Sequence, residues 1–124
     1  MAGRVLLVED EPNIAAAIRF ILTREGWEVA VEADGAAAMA RVRDLGPDLL
    51  ILDLMLPGMS GLEILTALRA DPSYAELKVM MLTAKGQPRD REAAERVGVQ
   101  AFMSKPFSND EMRAMVRGLM GGRG

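Results

Sequence analysis

Short apolar runs alternate along the chain with stretches in which apolar residues return every three or four positions. Val5-Leu6-Leu7-Val8 is unbroken and predicts a buried strand. Ile14, Ile18, Ile21 and Leu22 follow at helical spacing, with Pro12 suited to the first turn. Trp27 to Val31 is interrupted by Glu28 and predicts a half-exposed strand. Ala36 to Leu45 is an alanine-rich helix stopped at Gly46-Pro47, and Leu49-Leu50-Ile51-Leu52 is a second fully apolar strand. Pro57-Gly58 marks a turn. Ser60 and Glu63 have the spacing of a capping box, opening a helix with Leu62, Leu65 and Leu68 that Asp71-Pro72 ends. Leu77 to Leu82 is a strand, Arg89 to Val97 a helix and Gln100 to Met103 a short strand. Ser108 and Glu111 repeat the capping spacing before a helix carrying Met112, Met115, Val116 and Leu119. The glycines of 121–124 predict a fraying tail.

Strict strand–helix alternation argues for a parallel sheet covered on both faces by helices. The first and third strands, and very nearly the fourth, lack polar alternation and belong inside the sheet, while the second and fifth read as edges. The predicted fold is therefore α/β: a doubly wound (βα)5, flavodoxin-like three-layer sandwich with strand order 2-1-3-4-5. Residues 1–120 form one domain and 121–124 a flexible tail.

Composition narrows the chemistry. The 124 residues suit one domain, and half of them are hydrophobic. The apolar runs fall far short of the roughly 20 residues of a membrane span, and no secretory leader is legible. Without cysteine or histidine there is no disulfide, thiolate metal site, imidazole base or histidine-containing triad. The net charge of −3 and scattered basic residues give no nucleic-acid footprint, so the expected setting is cytoplasmic, with no membrane and no direct nucleic-acid contact.

In an open parallel sheet, ligands bind beyond the carboxyl ends of the strands where the strand order reverses, here between the first and third strands. Those ends carry Glu9, Asp10 and Asp53. Two carboxylates about 4 Å apart repel by roughly 4 kcal/mol at an effective dielectric of 20, so the cluster calls for a cation or altered protonation. All-oxygen donors suit Mg²⁺, Mn²⁺ or Ca²⁺ rather than zinc, and Mg²⁺ habitually keeps open positions for phosphate oxygens. The fourth strand ends in a hydroxyl, Thr83, and the fifth is followed by Lys105-Pro106, a point charge beside a candidate cis peptide. Carboxylates, hydroxyl and ammonium converging on one spot describe phosphoryl transfer, with Asp53 as nucleophile forming an aspartyl phosphate. Taken singly, each residue has a plainer role. The acidic run suits a helix start, Thr83 an ordinary strand and Lys105 a surface. The shared strand-end location changes that reading, and a carboxylate behind four buried aliphatics is costly unless partnered. The ten methionines read as core filler, although Met112 and Met115 could border a groove; Trp27 reads as packing.

The motifs Val8-Glu9-Asp10-Glu11-Pro12, Leu52-Asp53-Leu54-Met55-Leu56-Pro57-Gly58-Met59-Ser60-Gly61, Met81-Leu82-Thr83-Ala84 and Lys105-Pro106-Phe107 together resemble the receiver domain of two-component response regulators over nearly the whole chain. The resemblance implies that Asp53 accepts a phosphoryl group from a sensor histidine kinase or histidine phosphotransfer protein. It implies that Asp10, Asp53 and the Met55 carbonyl bind Mg²⁺, with Glu9 acting mainly through water. Thr83 and Lys105 would hold phosphoryl oxygens, and Phe102 would be the switch aromatic following Thr83, although plain core packing suits it equally. A downstream protein would read the face of the fourth helix, fifth strand and fifth helix. On this reading the chain is a phosphoacceptor signalling domain, not an enzyme, beyond assisting its own phosphorylation and dephosphorylation.

Some positions depart from family patterns. Glu9 replaces an aspartate. Gln100, Ala101 and Met115 stand where receivers of winged-helix transcription factors carry charges that pair a dimer, which leaves a monomer or weak dimer. Met55 and Lys85, at the two variable positions that tune dephosphorylation, predict a long-lived phosphate. The chain reads either as a stand-alone, chemotaxis-type receiver or as a receiver cut from a larger regulator. A phosphohydrolase would need an acid where Met55 stands, a flavin protein a phosphate loop where Glu9 to Glu11 stand, and a nucleotide switch a G-x-x-x-x-G-K-[ST] loop. A scaffold receiver that takes no phosphate is a further alternative.

Overall fold

A computed structural model describes residues 3–84 and 88–121. Lys85 and the end of the glycine tail lie outside the described residues. The elements are β1 (Arg4–Val8), α1 (Pro12–Arg24), β2 (Glu28–Glu32), α2 (Ala38–Leu45), β3 (Leu49–Asp53), α3 (Gly61–Ala70), β4 (Lys78–Thr83), α4 (Pro88–Val97), β5 (Ala101–Ser104) and α5 (Asn109–Leu119). The five strands form one parallel sheet in the order β2-β1-β3-β4-β5, as the hydrophobic pattern predicts. Val8 lies beside Leu52 and Asp53 beside Leu82, so the strands end together at one rim.

Alternation along each strand sends side chains to two cores. Val5, Leu7, Leu49, Ile51, Met80 and Leu82 pack against α1 and α5. Leu6, Val8, Leu50, Leu52, Val79 and Met81 pack against α2, α3 and α4. All five residues of β3 are buried, and each fully buried Leu or Ile contributes roughly 1.5–3 kcal/mol. The edge strands β2 and β5 remain half-exposed. Met80, Met81, Met103 and Met112 fill the core, and Trp27 packs against its α1–α5 half. With Met112 fully buried, it borders no groove.

Ser60 and Ser108 both form complete capping boxes, with Glu63 and Glu111 returning the bond. Gly46 closes α2 at φ 57°, its N–H donating to the Val42 carbonyl at 2.9 Å. Two short 3₁₀ turns were not evident from the pattern: Gly35–Ala37, where a single helix from Ala36 is predicted, and Pro72–Tyr74. Each follows an aspartate, Asp34 or Asp71, whose carboxylate accepts the N–H two residues on and favours a turn over a helix.

Candidate functional site

The strand pleat explains which residues meet. Continuing the alternation of Leu7, Ile51 and Met103 places Glu9, Asp53 and Lys105 on the α1–α5 side of the rim. Thr83 follows Met81 onto the other side, where Phe102 packs beside Met81 against the α2–α3–α4 core. Backbone bonds extend the ladder past the strand ends. Glu9 N–H donates to Glu32 O at 3.0 Å, Leu54 N–H to Leu82 O at 2.8 Å, and Lys105 N–H to Thr83 O at 2.7 Å. The rim is thus as firmly registered as the sheet below it.

Glu9, Asp10 and Asp53 each bring a carboxylate oxygen within 4.8 Å of the others. Asp53 and Glu9 are buried, whereas Asp10 is exposed at the mouth. Lys105 Nζ donates to Asp53 Oδ2 at 2.8 Å and lies 3.0 Å from Glu9 Oε1. Asp53 Oδ1 accepts the Met55 N–H at 3.0 Å, and Glu9 Oε2 accepts the Glu11 N–H at 3.0 Å. Glu9 Oε1 is buried and off-line for a hydrogen bond with Lys105, so its ion pair leaves it acceptor capacity. Burial pushes Glu9 up to about 7, helped by the neighbouring Asp53 and opposed by the Glu11 N–H and by Lys105. Burial alone would lower Lys105, but its hydrogen bond to Asp53, its ion pair with Glu9 and the negative charge of both outweigh this and raise it. Among the described residues, three acids against one ammonium leave the pocket short of positive charge. An unspent acceptor in an all-carboxylate donor set fits a hard divalent cation.

The loop after β3 is held by close backbone packing. A Cβ at Gly61 would meet Asp53 O at 2.4 Å, and one at Gly35 would meet Met59 O at 2.1 Å. Met55 turns its side chain outward, 72 % exposed. The Lys105–Pro106 peptide is cis. Thr83 is buried at the end of β4. Phe102 is half-buried under Arg91, whose guanidinium carbon lies 5.8 Å from its ring centre. Two features escape sequence reading. Lys105 bridges two acids at once, and Arg91 covers Phe102. The excess of acids over ammonium groups at the strand ends points to the first, and no local signal announces the second.

Residues 5–117 match the response regulator receiver domain, and the chain belongs to that family. It is 43 % identical over 117 residues to the transcriptional regulatory protein TrcR of Mycobacterium tuberculosis, covering 94 % of this chain and 45 % of that one. It is 41 % identical to the DNA-binding response regulator MtrA of Mycolicibacterium smegmatis, covering 94 % and 50 %. The chain therefore spans about half the length of these curated relatives. A putative response regulator from Chloroflexus aurantiacus superposes with a TM-score of 0.91 at 29 % identity, covering 97 % and 98 %. The Mn²⁺-bound form of response regulator Rcp1 superposes at 0.81 and 28 % identity, covering 94 % and 91 %. The protein is thus a two-component receiver of a family that binds divalent metal and works with histidine kinases. No helix among the described residues is long and apolar enough to cross a membrane.

Proposed function

We propose that this receiver is phosphorylated on Asp53 by a sensor histidine kinase or a histidine phosphotransfer protein, with Mg²⁺ held by Asp10, Asp53 and the Met55 carbonyl. One observation carries the reading most directly. The Lys105 ammonium lies between Asp53 and Glu9 in a pocket with more acid than base. Bound Mg²⁺ would neutralise charge on the phosphoryl oxygens. Asp53, buried at the end of β3, supplies the attacking carboxylate oxygen. Lys105 is within reach of the phosphoryl oxygens as they develop on Asp53, and its charge favours them. Glu9 would act on the metal through water. In the small-donor test, incubation with a low-molecular-weight phosphodonor and Mg²⁺ gives a mass gain of one phosphoryl group. Asp53→Asn removes the gain, and a gain that persists in this variant sinks the assignment.

The proposed output follows from the pleat. Phosphorylation adds charge and acceptor oxygens at the rim. Thr83 moves toward them, freeing space on the side where Phe102 packs, and Phe102 turns inward beneath α4. The face of α4, β5 and α5 then changes shape for a protein partner. A swing from 1:99 to 99:1 needs about 5.5 kcal/mol of differential stabilisation. Equal partner affinity with and without a phosphate mimic would end this part of the proposal. The exposed, apolar Met55 orients no water, so the aspartyl phosphate is long-lived; rapid loss with Mg²⁺ alone would refute that.

Cytoplasmic residence is part of the same reading, since the kinase's phosphohistidine must reach Asp53. The expectation of no direct nucleic-acid contact is confined to these residues. A relative of about twice this length is DNA-binding, so transcriptional control by a longer protein containing this receiver is compatible with the proposal.

A further inference from the structure

Among the described residues, most methionines are in or against the core, and Met55 stands apart. Met80, Met81 and Met112 are 0 % exposed and Met103 8 %, whereas Met55 is 72 % exposed. Met39, Met59, Met115 and Met120 are partly buried and pack against one core or the other. Met55 is also two residues from the buried Asp53, to which its own N–H is bonded. An exposed thioether at this distance from a reacting carboxylate joins two properties. It is open to solution oxidants, and its backbone is tied to Asp53 through its N–H.

We propose that Met55 is a methionine-oxidation site through which hydroperoxides shorten the lifetime of the phosphorylated state; the functional half of this rests on Asp53 being the phosphoacceptor. The Met55 sulfur attacks one oxygen of hydrogen peroxide. The O–O bond breaks, an S–O bond forms, and the second oxygen leaves as water after proton transfer. Sulfur loses two electrons and the peroxide gains them. The product replaces an apolar tip, which holds no water, with a polar oxygen that accepts hydrogen bonds. A sulfoxide at the mouth retains water beside the acyl phosphate, and water is the reactant that removes the phosphoryl group. The main-chain N–H and carbonyl of Met55 are untouched, so phosphoryl uptake continues.

The test treats the protein with dilute hydrogen peroxide and maps sulfoxide by peptide mass spectrometry. Met55 is expected to oxidise several-fold faster than Met80, Met81, Met103 or Met112; equal rates would overturn the site. The oxidised protein is then phosphorylated with the small phosphodonor and Mg²⁺ and the decay followed. The half-life is expected to fall several-fold and to recover after treatment with methionine sulfoxide reductase. Met55→Leu, compared with itself before and after peroxide, is expected to keep its own half-life. An unchanged half-life in singly oxidised protein, or an equal loss in Met55→Leu, would overturn the functional claim. Untreated protein that takes no phosphoryl group overturns the Asp53 reading and this consequence together, whereas normal uptake with oxidation-independent decay overturns the consequence alone.

Discussion

The two ends of the sheet each hold a half-buried cation, and they use it in opposite ways. At the carboxyl rim, Lys105 is ion-paired to Asp53 and Glu9, with a third acid, Asp10, beside them. At the amino end, Arg69, in the last turn of α3, donates to the carbonyls of Tyr74, Leu77 and Gly98 and to Gln100 Oε1, all at 2.7–3.0 Å. Gln100 Oε1 in turn accepts the Val79 N–H at 2.8 Å, joining the starts of β4 and β5. Gly98 is held at φ 112° beside the Arg69 side chain, and burial lowers the Arg69 pKa. The arginine spends its donors on neutral carbonyls at a helix C-terminus, where positive charge is favoured. The lysine faces more negative charge than it can cancel. One end is satisfied and therefore structural. The other retains an excess of negative charge that a cation can offset.

That contrast can be broken experimentally. Asp53→Asn is expected to abolish phosphoryl uptake without lowering the metal-free unfolding free energy, because it removes a repulsive charge while Lys105 keeps Glu9. A large loss of stability in denaturant titration would show that the rim is structural too. Arg69→Met should behave in the reverse sense. It leaves several carbonyls without their donor and costs about 2–4 kcal/mol, while uptake from a small phosphodonor persists. A fully stable variant would deny Arg69 its role.

The third prediction concerns pH. Glu9 titrates at about 7 in the folded protein against 4.5 ordinarily, so between those values the native state holds a proton that the unfolded chain has released. Metal-free stability attributable to Glu9 is therefore intact below about 4.5 and falls as pH rises toward 7. Thermal unfolding in chelator should show wild type losing stability relative to Glu9→Gln from pH 5 to 8. Added Mg²⁺ should raise the melting temperature more at pH 8 than at pH 5. A flat difference between the two proteins would contradict the burial argument. The smallest effect is expected from Gly118→Ala on α5, where an added Cβ meets no atom within 4 Å. Loss of glycine's backbone freedom should stabilise by about 0.5–1 kcal/mol, visible as a shifted denaturant midpoint at unchanged slope.

The two ends also differ in how far the sequence discloses them. Glu9, Asp53 and Thr83 follow apolar strands directly and Lys105 comes one residue later, after Ser104, so all four are visible as polar positions at or just beyond predicted strand ends. The parallel order follows from which strands lack alternation. Arg69 gives no such signal. A basic residue in the last turn of a helix is ordinarily solvated, and its partners come from segments up to 31 residues away. The Arg91–Phe102 contact and the tight seat of Gly35 under Met59 are hidden for the same reason, since each depends on how separate elements dock. The 3₁₀ turns after Asp34 and Asp71 were obscured because helical periodicity does not register the competing Asx bond.

The pleat carries a consequence of its own. By strand alternation, Asp53 and Lys105 fall on the side of α1 and α5, and Thr83 on the other side, where Phe102 packs against the core beneath α4. The five-stranded wall is continuous between them, so news of an added charge has no path through its interior. The way over the top edge leads past the last residues of β4 and β5, where the Lys105 N–H donates to the Thr83 carbonyl. The sheet thus acts as a partition, and the proposed phosphorylation site stands at its threshold.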